Sequence, residues 1–184
     1  MARTESNMLP LGTKAPQFKL TDTVDNTKKS LQELKGTKGT LVMFICNHCP
    51  FVLHVSSELS QLAKDYISKG INCIAISSND VANYPQDRPE LMAEHAINED
   101  YIFPYLYDQT QNVAKAYEAA CTPDFFLFDS DLSLVYTGQL DDSRPDNGVP
   151  VTGKDLRAAM TALVNNTPID PDQKPSLGCG IKWK

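Results

Sequence analysis

The sequence predicts an α/β domain with a central mixed β-sheet covered by helices on both faces. Three observations predict it. A continuously apolar run, Leu41–Cys46, passes straight into a long amphipathic helix pattern, and a second apolar run, Ile71–Ser77, follows that helix. Two further apolar segments, Phe125–Phe128 and Leu132–Thr137, stand close enough together for a hairpin. Strand–helix–strand order implies a right-handed crossover between parallel strands, whereas a tight hairpin must be antiparallel, so the sheet is mixed.

Taken in chain order, residues 1–14 read as a loose lead-in and Phe18–Thr21 as a short alternating strand. Ser30–Leu34 is too short to assign. Leu41–Cys46 is apolar throughout, the pattern of a strand buried on both faces. Val52, Val55, Leu59, Leu62 and Tyr66 then recur at helical spacing and mark one face of a helix. Pro50 suits its first position, where a missing N–H costs nothing, and Gly70 ends it. Asn79–Pro89 reads as a polar loop, Glu90–Asn98 as a helix, Phe103–Tyr107 as a strand and Gln111–Ala120 as a helix. Asp129–Asp131 turns the hairpin. Asp141–Gly153 reads as a surface loop in which Asp141, Asp142 and Arg144 are solvated charges. Thr152 is expected to cap a last helix, Lys154–Val164. The whole chain, 1–184, reads as one domain, with 168–184 a C-terminal tail that docks on the body through its single tryptophan, Trp183.

Composition removes several function classes. Hydrophobic residues make up 41% and charged residues 22%, the balance of a folded globular chain. The longest apolar run is far short of the roughly 20 residues a membrane-spanning helix needs. Seventeen basic against 23 acidic residues give a formal net charge of −6. The basic clusters, Lys28-Lys29 and Lys182/Lys184, are too small for a nucleic-acid surface. The expectation is therefore neither nucleic acid nor membrane as partner. No apolar segment follows Arg3, so no secretory signal is expected, and a cytoplasmic location follows. Five cysteines in such a chain point to thiol chemistry rather than structural bridges.

The chemistry concentrates at Cys46-Asn47-His48-Cys49, between a buried strand and a helix N-terminus. Unpaired N–H groups at the helix end favour a thiolate, and His48 can add a positive charge or a hydrogen bond. Such settings bring a thiol from about 8.5 to below 7.5. Thiolate attack on a disulfide is the reaction this prepares, with the second cysteine closing the ring. A c-type haem site would need His directly after the second cysteine, and position 50 is Pro. A structural zinc site needs four ligands, usually in two close pairs, and Cys121 and Cys179 stand alone. Neither metal nor organic cofactor is expected. Two inert buried thiols at a strand end remain the plain alternative.

Phe44-Ile45-Cys46-Asn47-His48-Cys49-Pro50, followed by Thr122-Pro123 before a later buried strand, resembles the thioredoxin superfamily. It resembles most closely the redoxin branch, the peroxiredoxin-like group of alkyl hydroperoxide reductases and thiol-specific antioxidants bearing a CxxC. The resemblance spans about residues 12–165, and Gly153–Leu156 and the Gly178–Trp183 tail share it. It implies a thioredoxin-like fold and a cis Pro123 against the CxxC, with the Thr122 backbone pairing with a substrate strand. It also implies two chemistries. In thiol–disulfide exchange Cys46 is the exposed nucleophile, Cys49 resolves, and His48 tunes Cys46. In a thiol peroxidase Cys49 takes the peroxide. Val42, Cys46 and Pro123 stand where such a peroxidase keeps its Pro, Thr and Arg, so exchange is the expected reaction. A zinc-holding or redox-silent scaffold is the alternative of another class.

Thioredoxins commonly carry an acidic residue on the strand before the CxxC, and Leu41–Ile45 has none. Cys121, two residues before Pro123, is a candidate third redox thiol. Cys73 reads as core, His54 and His95 as surface or unpartnered histidines, and Cys179 as unassigned. Partners would be protein or small-molecule disulfides and thiols and a dithiol electron donor, with the chain a monomer or homodimer.

Overall fold

Leu41–Cys46 is apolar throughout because its strand runs through the middle of the protein, with a core on each side. The computed structural model describes residues 3–184. Residues 1 and 2, part of the expected lead-in and of the N-terminal signal reading, lie outside the described residues. The elements are β1 (Arg3–Glu5), β2 (Lys19–Asp22), β3 (Lys28–Ser30), α1 (Leu31–Leu34), β4 (Gly39–Phe44) and α2 (Pro50–Ile67). They continue with β5 (Ile71–Ser77), a 3₁₀ turn at Pro85–Asp87, α3 (Pro89–Asn98), β6 (Tyr105–Tyr107) and α4 (Asn112–Ala116). Last come β7 (Cys121–Thr122), β8 (Asp124–Asp129), β9 (Leu134–Thr137), α5 (Lys154–Asn165) and β10 (Leu177–Gly180). None of the described helices is long and apolar enough to cross a membrane.

The main sheet has seven strands in the order β3-β2-β6-β5-β4-β8-β9. β4 pairs in parallel with β5 and antiparallel with β8, and β8 turns back into β9, so the sheet is mixed. Alternation along β4 divides its side chains between two cores. Leu41, Met43 and Ile45 pack with Val52, Leu59 and Leu62 of α2, Met92 of α3 and Leu156 and Met160 of α5. Val42 and Phe44 pack on the other face with Leu31 of α1, Val113 of α4 and the aromatic group Tyr117, Phe126 and Phe128. Tyr117 meets Phe126 and Phe128 edge-on at centroid distances of 5.7 and 6.0 Å. Edge-on packing is a favoured aromatic arrangement.

Several local expectations are corrected. The lead-in contains a strand, β1, which pairs with β10, and the tail's β10 pairs in turn with β7 to make a second, three-stranded sheet. The tail therefore docks through backbone pairing, while Trp183 is 44% exposed. The helix expected over Gln111–Ala120 stops at Ala116, because Glu118 turns the chain in a left-handed conformation. Thr152 is not the cap of α5: Gly153 takes that place, and Asp141 Oδ2 accepts the N–H groups of Thr152 and Gly153 at 2.7 and 2.6 Å. Asp141 is thus buried and structural. Arg144 is tied down as well, donating to the carbonyls of Asp141 and Ser143 and to Gln139 Oε1.

Candidate active site

β4 ends at Phe44, and the Ile45 N–H makes one more bond to Ile76 O at 3.0 Å. The chain then leaves the sheet over Cys46–Cys49 and enters α2. Cys49 is the N-cap residue in extended conformation, Pro50 opens the helix, and the N–H groups of Val52 and Leu53 donate to Cys49 O. Cys46 and Cys49 are 1% and 0% exposed. The expectation of an exposed Cys46 is therefore corrected: Thr122 and the loop around Asp87 cover it.

Thr122 contacts both sulfurs. Its Oγ1 lies 3.4 Å from Cys46 Sγ, and its carbonyl oxygen accepts from Cys49 Sγ at 3.1 Å. The Thr122–Pro123 peptide bond is cis. The expected pairing of the Thr122 backbone with a substrate strand meets an occupied edge: Thr122 pairs with Cys179 of β10. Gly178 permits that approach, since a Cβ there would lie 2.0 Å from the Thr122 carbonyl oxygen.

The two thiols differ in acidity. Cys49 is lowered to about 5, first by a hydrogen bond from the Cys46 thiol and then, against the cost of burial, by Cys179 and the Val52 N–H in the first turn of α2. Cys46 is held well above the ordinary thiol value because it keeps the shared proton, is buried and faces the Asp87 carboxylate. The Thr122 carbonyl opposes ionisation at Cys49, since its 3.1 Å contact is favourable to the thiol and not to the thiolate. The two sulfurs therefore titrate as a pair.

Sequence reasoning missed Asp87. It lies in the 3₁₀ turn of the Asn79–Pro89 loop, is fully buried, and accepts from the Asn47 N–H and from Asn79 Nδ2, both at 2.8 Å. No local signal separates it from the other polar residues of that loop; its partners are 40 and 8 residues away. His48 Nδ1 stands 2.7 Å from Asp87 Oδ2, at ion-pair distance but misaligned for a hydrogen bond, and its ring stacks on Tyr84 at 5.6 Å. His48 therefore stands beside the carboxylate that faces the Cys46 sulfur.

Cys46, His48 and Asp87 offer donor atoms within 4.8 Å of one another. Ligands about 2.0–2.1 Å from a tetrahedral zinc stand roughly 3.3 Å apart, wider than the His48–Asp87 contact, and a structural zinc takes four ligands. The set fits a histidine–carboxylate contact beside a thiol better than a zinc cage.

Cys121 points away from the dithiol. Its thiol donates to Pro123 O at 3.6 Å, and burial pushes it far up. The cysteine opposite Thr122 on the neighbouring strand, buried in one core group with Cys46 and Cys49, is Cys179. Cys73 is core, pushed by burial to about 12. His54 Nε2 lies 2.7 Å from Ser143 Oγ, and His95 packs edge-on against Tyr101. Asp124, immediately after Pro123, is fully buried and raised to about 7 by burial; Oδ2 accepts the Ala120 N–H and Oδ1 has no partner.

A structure from Geobacillus kaustophilus, of an uncharacterized conserved protein, is 58% identical, covers 100% of this chain and 97% of its own, and superposes with a TM-score of 0.98. A hypothetical protein from Sinorhizobium meliloti is 46% identical with 98% of each chain covered and a TM-score of 0.96. The thioredoxin domain of a thiol-disulfide oxidoreductase from Bacteroides vulgatus shares the fold at 20% identity and a TM-score of 0.60, over 70% of this chain and 88% of its own. No curated protein matches. The Redoxin family model matches residues 10–156. On that match the chain belongs to the Redoxin family, its fold is thioredoxin-like, and its chemistry is that of redox thiols.

Proposed function

We propose that the chain is a thiol–disulfide oxidoreductase that cycles Cys46 and Cys49 between dithiol and disulfide. The observation that carries this reading is the contact of one residue, Thr122, with both sulfurs at a strand–helix junction. Cys46 attacks one sulfur of a substrate disulfide, forming a mixed disulfide while the other substrate sulfur leaves as thiolate and takes up a proton. Cys49 then attacks Cys46, releasing the second substrate thiol and leaving the Cys46–Cys49 disulfide. The substrate gains two electrons and two protons, and an external dithiol restores the pair. Cys49 suits the second step, since the helix end and its hydrogen bonds favour its thiolate. Partly buried Asn47 and His48 flank Cys46, and half-exposed Leu53 adds apolar surface one turn into α2. A reducing compartment such as the cytoplasm would return the pair to the dithiol, and disulfide-bearing proteins or small molecules would be its partners.

A second reading has one observation in its favour. Cys49, the more acidic thiol, stands at a helix N-terminus before Pro50, which suits attack on a peroxide. Against it, none of the groups that set the acidity of either thiol is an arginine.

Trapping separates the two. With Cys49→Ser, a small disulfide such as oxidised glutathione is expected to leave a lasting mixed disulfide on Cys46, seen by intact mass and peptide mapping. Fast sulfenate formation on Cys49 of the Cys46→Ser protein at micromolar peroxide, with no Cys46 adduct in the Cys49→Ser protein, would replace exchange by peroxidase chemistry.

A further inference from the structure

In an antiparallel ladder, residues directly opposite each other point to the same face. Cys179 is opposite Thr122, and the Thr122 side chain points at Cys46. Cys179 is therefore on the dithiol face, whereas Cys121, one residue along, is on the other. Cys179 is buried in the same core group as Cys46 and Cys49, and the Cys49 sulfur is among the neighbours that raise its thiol. The C-terminal strand thus occupies the backbone edge beside Pro123 and presents a thiol to the CxxC.

We propose that Cys179 is an internal redox partner of Cys49, exchanging with the Cys46–Cys49 disulfide to form a Cys49–Cys179 disulfide and free Cys46. The inference rests on the proposed dithiol cycle. The Cys179 thiolate attacks Cys49 Sγ, the Cys46–Cys49 bond breaks, and Cys46 leaves as thiolate and takes the proton Cys179 gave up. One S–S bond forms as one breaks, so no oxidant is consumed. The exchange ties the oxidised site to β10, and through β10 to β1, the strand paired along its other edge.

The redox state gates the step. In the dithiol, burial and the neighbouring Cys49 sulfur hold Cys179 up at about 12. Once Cys49 is in a disulfide, its negative charge no longer raises Cys179, while Lys182 still favours the Cys179 thiolate. Cys179 is therefore quiet beside the reduced pair and more nucleophilic beside the oxidised one.

The test is treatment of the Cys46→Ser protein with one equivalent of 2-hydroxyethyl disulfide, followed by acid quench, alkylation and peptide mapping. The majority of molecules are expected to carry a Cys49–Cys179 disulfide, with two 2-mercaptoethanol molecules released per protein. A persistent mixed disulfide on Cys49 with Cys179 free, or a Cys49–Cys121 bond, overturns the inference. If Cys46→Ser does not fold, the same mapping on the oxidised wild type decides: a Cys49–Cys179 peptide alongside Cys46–Cys49 supports the exchange, and its absence overturns it. A wild type that forms Cys46–Cys49 while no Cys49–Cys179 bond appears leaves the proposed function standing and removes only the inference. A wild type with no Cys46–Cys49 disulfide removes the proposed function itself.

Discussion

Thr122 and Pro123 separate two buried groups, and only on one side does burial leave one thiol, Cys49, acidic. On one side Cys46, Cys49 and Cys179 converge, and Cys49 is lowered to about 5 despite burial. On the other side Cys121 is pushed far up and Asp124 is raised to about 7. Burial penalises charge on both sides. The difference is in which effect wins: the neighbouring thiols and a helix N–H outweigh burial at Cys49, whereas the backbone N–H groups at Asp124 fall short of it and leave one oxygen unpartnered. Desolvation alone makes a group inert; desolvation with donors aimed at its charged form makes it reactive.

The largest test of this contrast is Asp124→Asn. The folded pKa of Asp124 is raised, so the folded protein binds more protons than the unfolded chain between about pH 4 and about 7. Its contribution is fully favourable below the unfolded value and is lost as pH rises through 7. Wild-type stability is expected to fall across that window. Asp124→Asn is expected to flatten the fall and to exceed the wild type by about 1–3 kcal/mol at pH 8, after the cost of the unpaired amide. Urea midpoints at pH 5 and pH 8 check this. Equal slopes for the two proteins would show Asp124 charged and solvated at neutral pH, and the contrast would fail.

A smaller effect compares the two single thiols. Cys179→Ala removes a donor to Cys49 and is expected to move the pH midpoint of Cys49 alkylation upward by roughly one unit. Cys179→Ser keeps a donor and should restore most of it, whereas Cys121→Ala should leave the midpoint in place. Equal shifts from both alanine variants would mean that packing, not the bond from Cys179, sets Cys49.

The halves of the site were unequally legible in the sequence. β4 and α2 were readable because their patterns are local: an unbroken apolar run, then apolar residues three and four apart closed by Gly70. Thr122-Pro123 was readable through family resemblance. The small sheet was not. Arg3-Thr4-Glu5 is polar and Leu177–Gly180 is half glycine, so neither carries strand propensity. They become strands by pairing with each other and with Cys121-Thr122, partners more than 50 residues apart in sequence. That pairing alone decides that Cys179, not Cys121, faces the dithiol. Asp87 was hidden because its contacts with Asn47 and His48 cross the fold and leave no mark in its own loop.

The most direct test of the central claim is the disulfide map of the wild-type protein. The reduced chain would be treated with one equivalent of oxidised glutathione, quenched in acid, alkylated and digested. Cys46–Cys49 is expected as the main disulfide, with two glutathione molecules released per protein and Cys73 and Cys121 alkylated as free thiols. Free Cys46 and Cys49 after that treatment, or a main disulfide that omits Cys46, would contradict the claim.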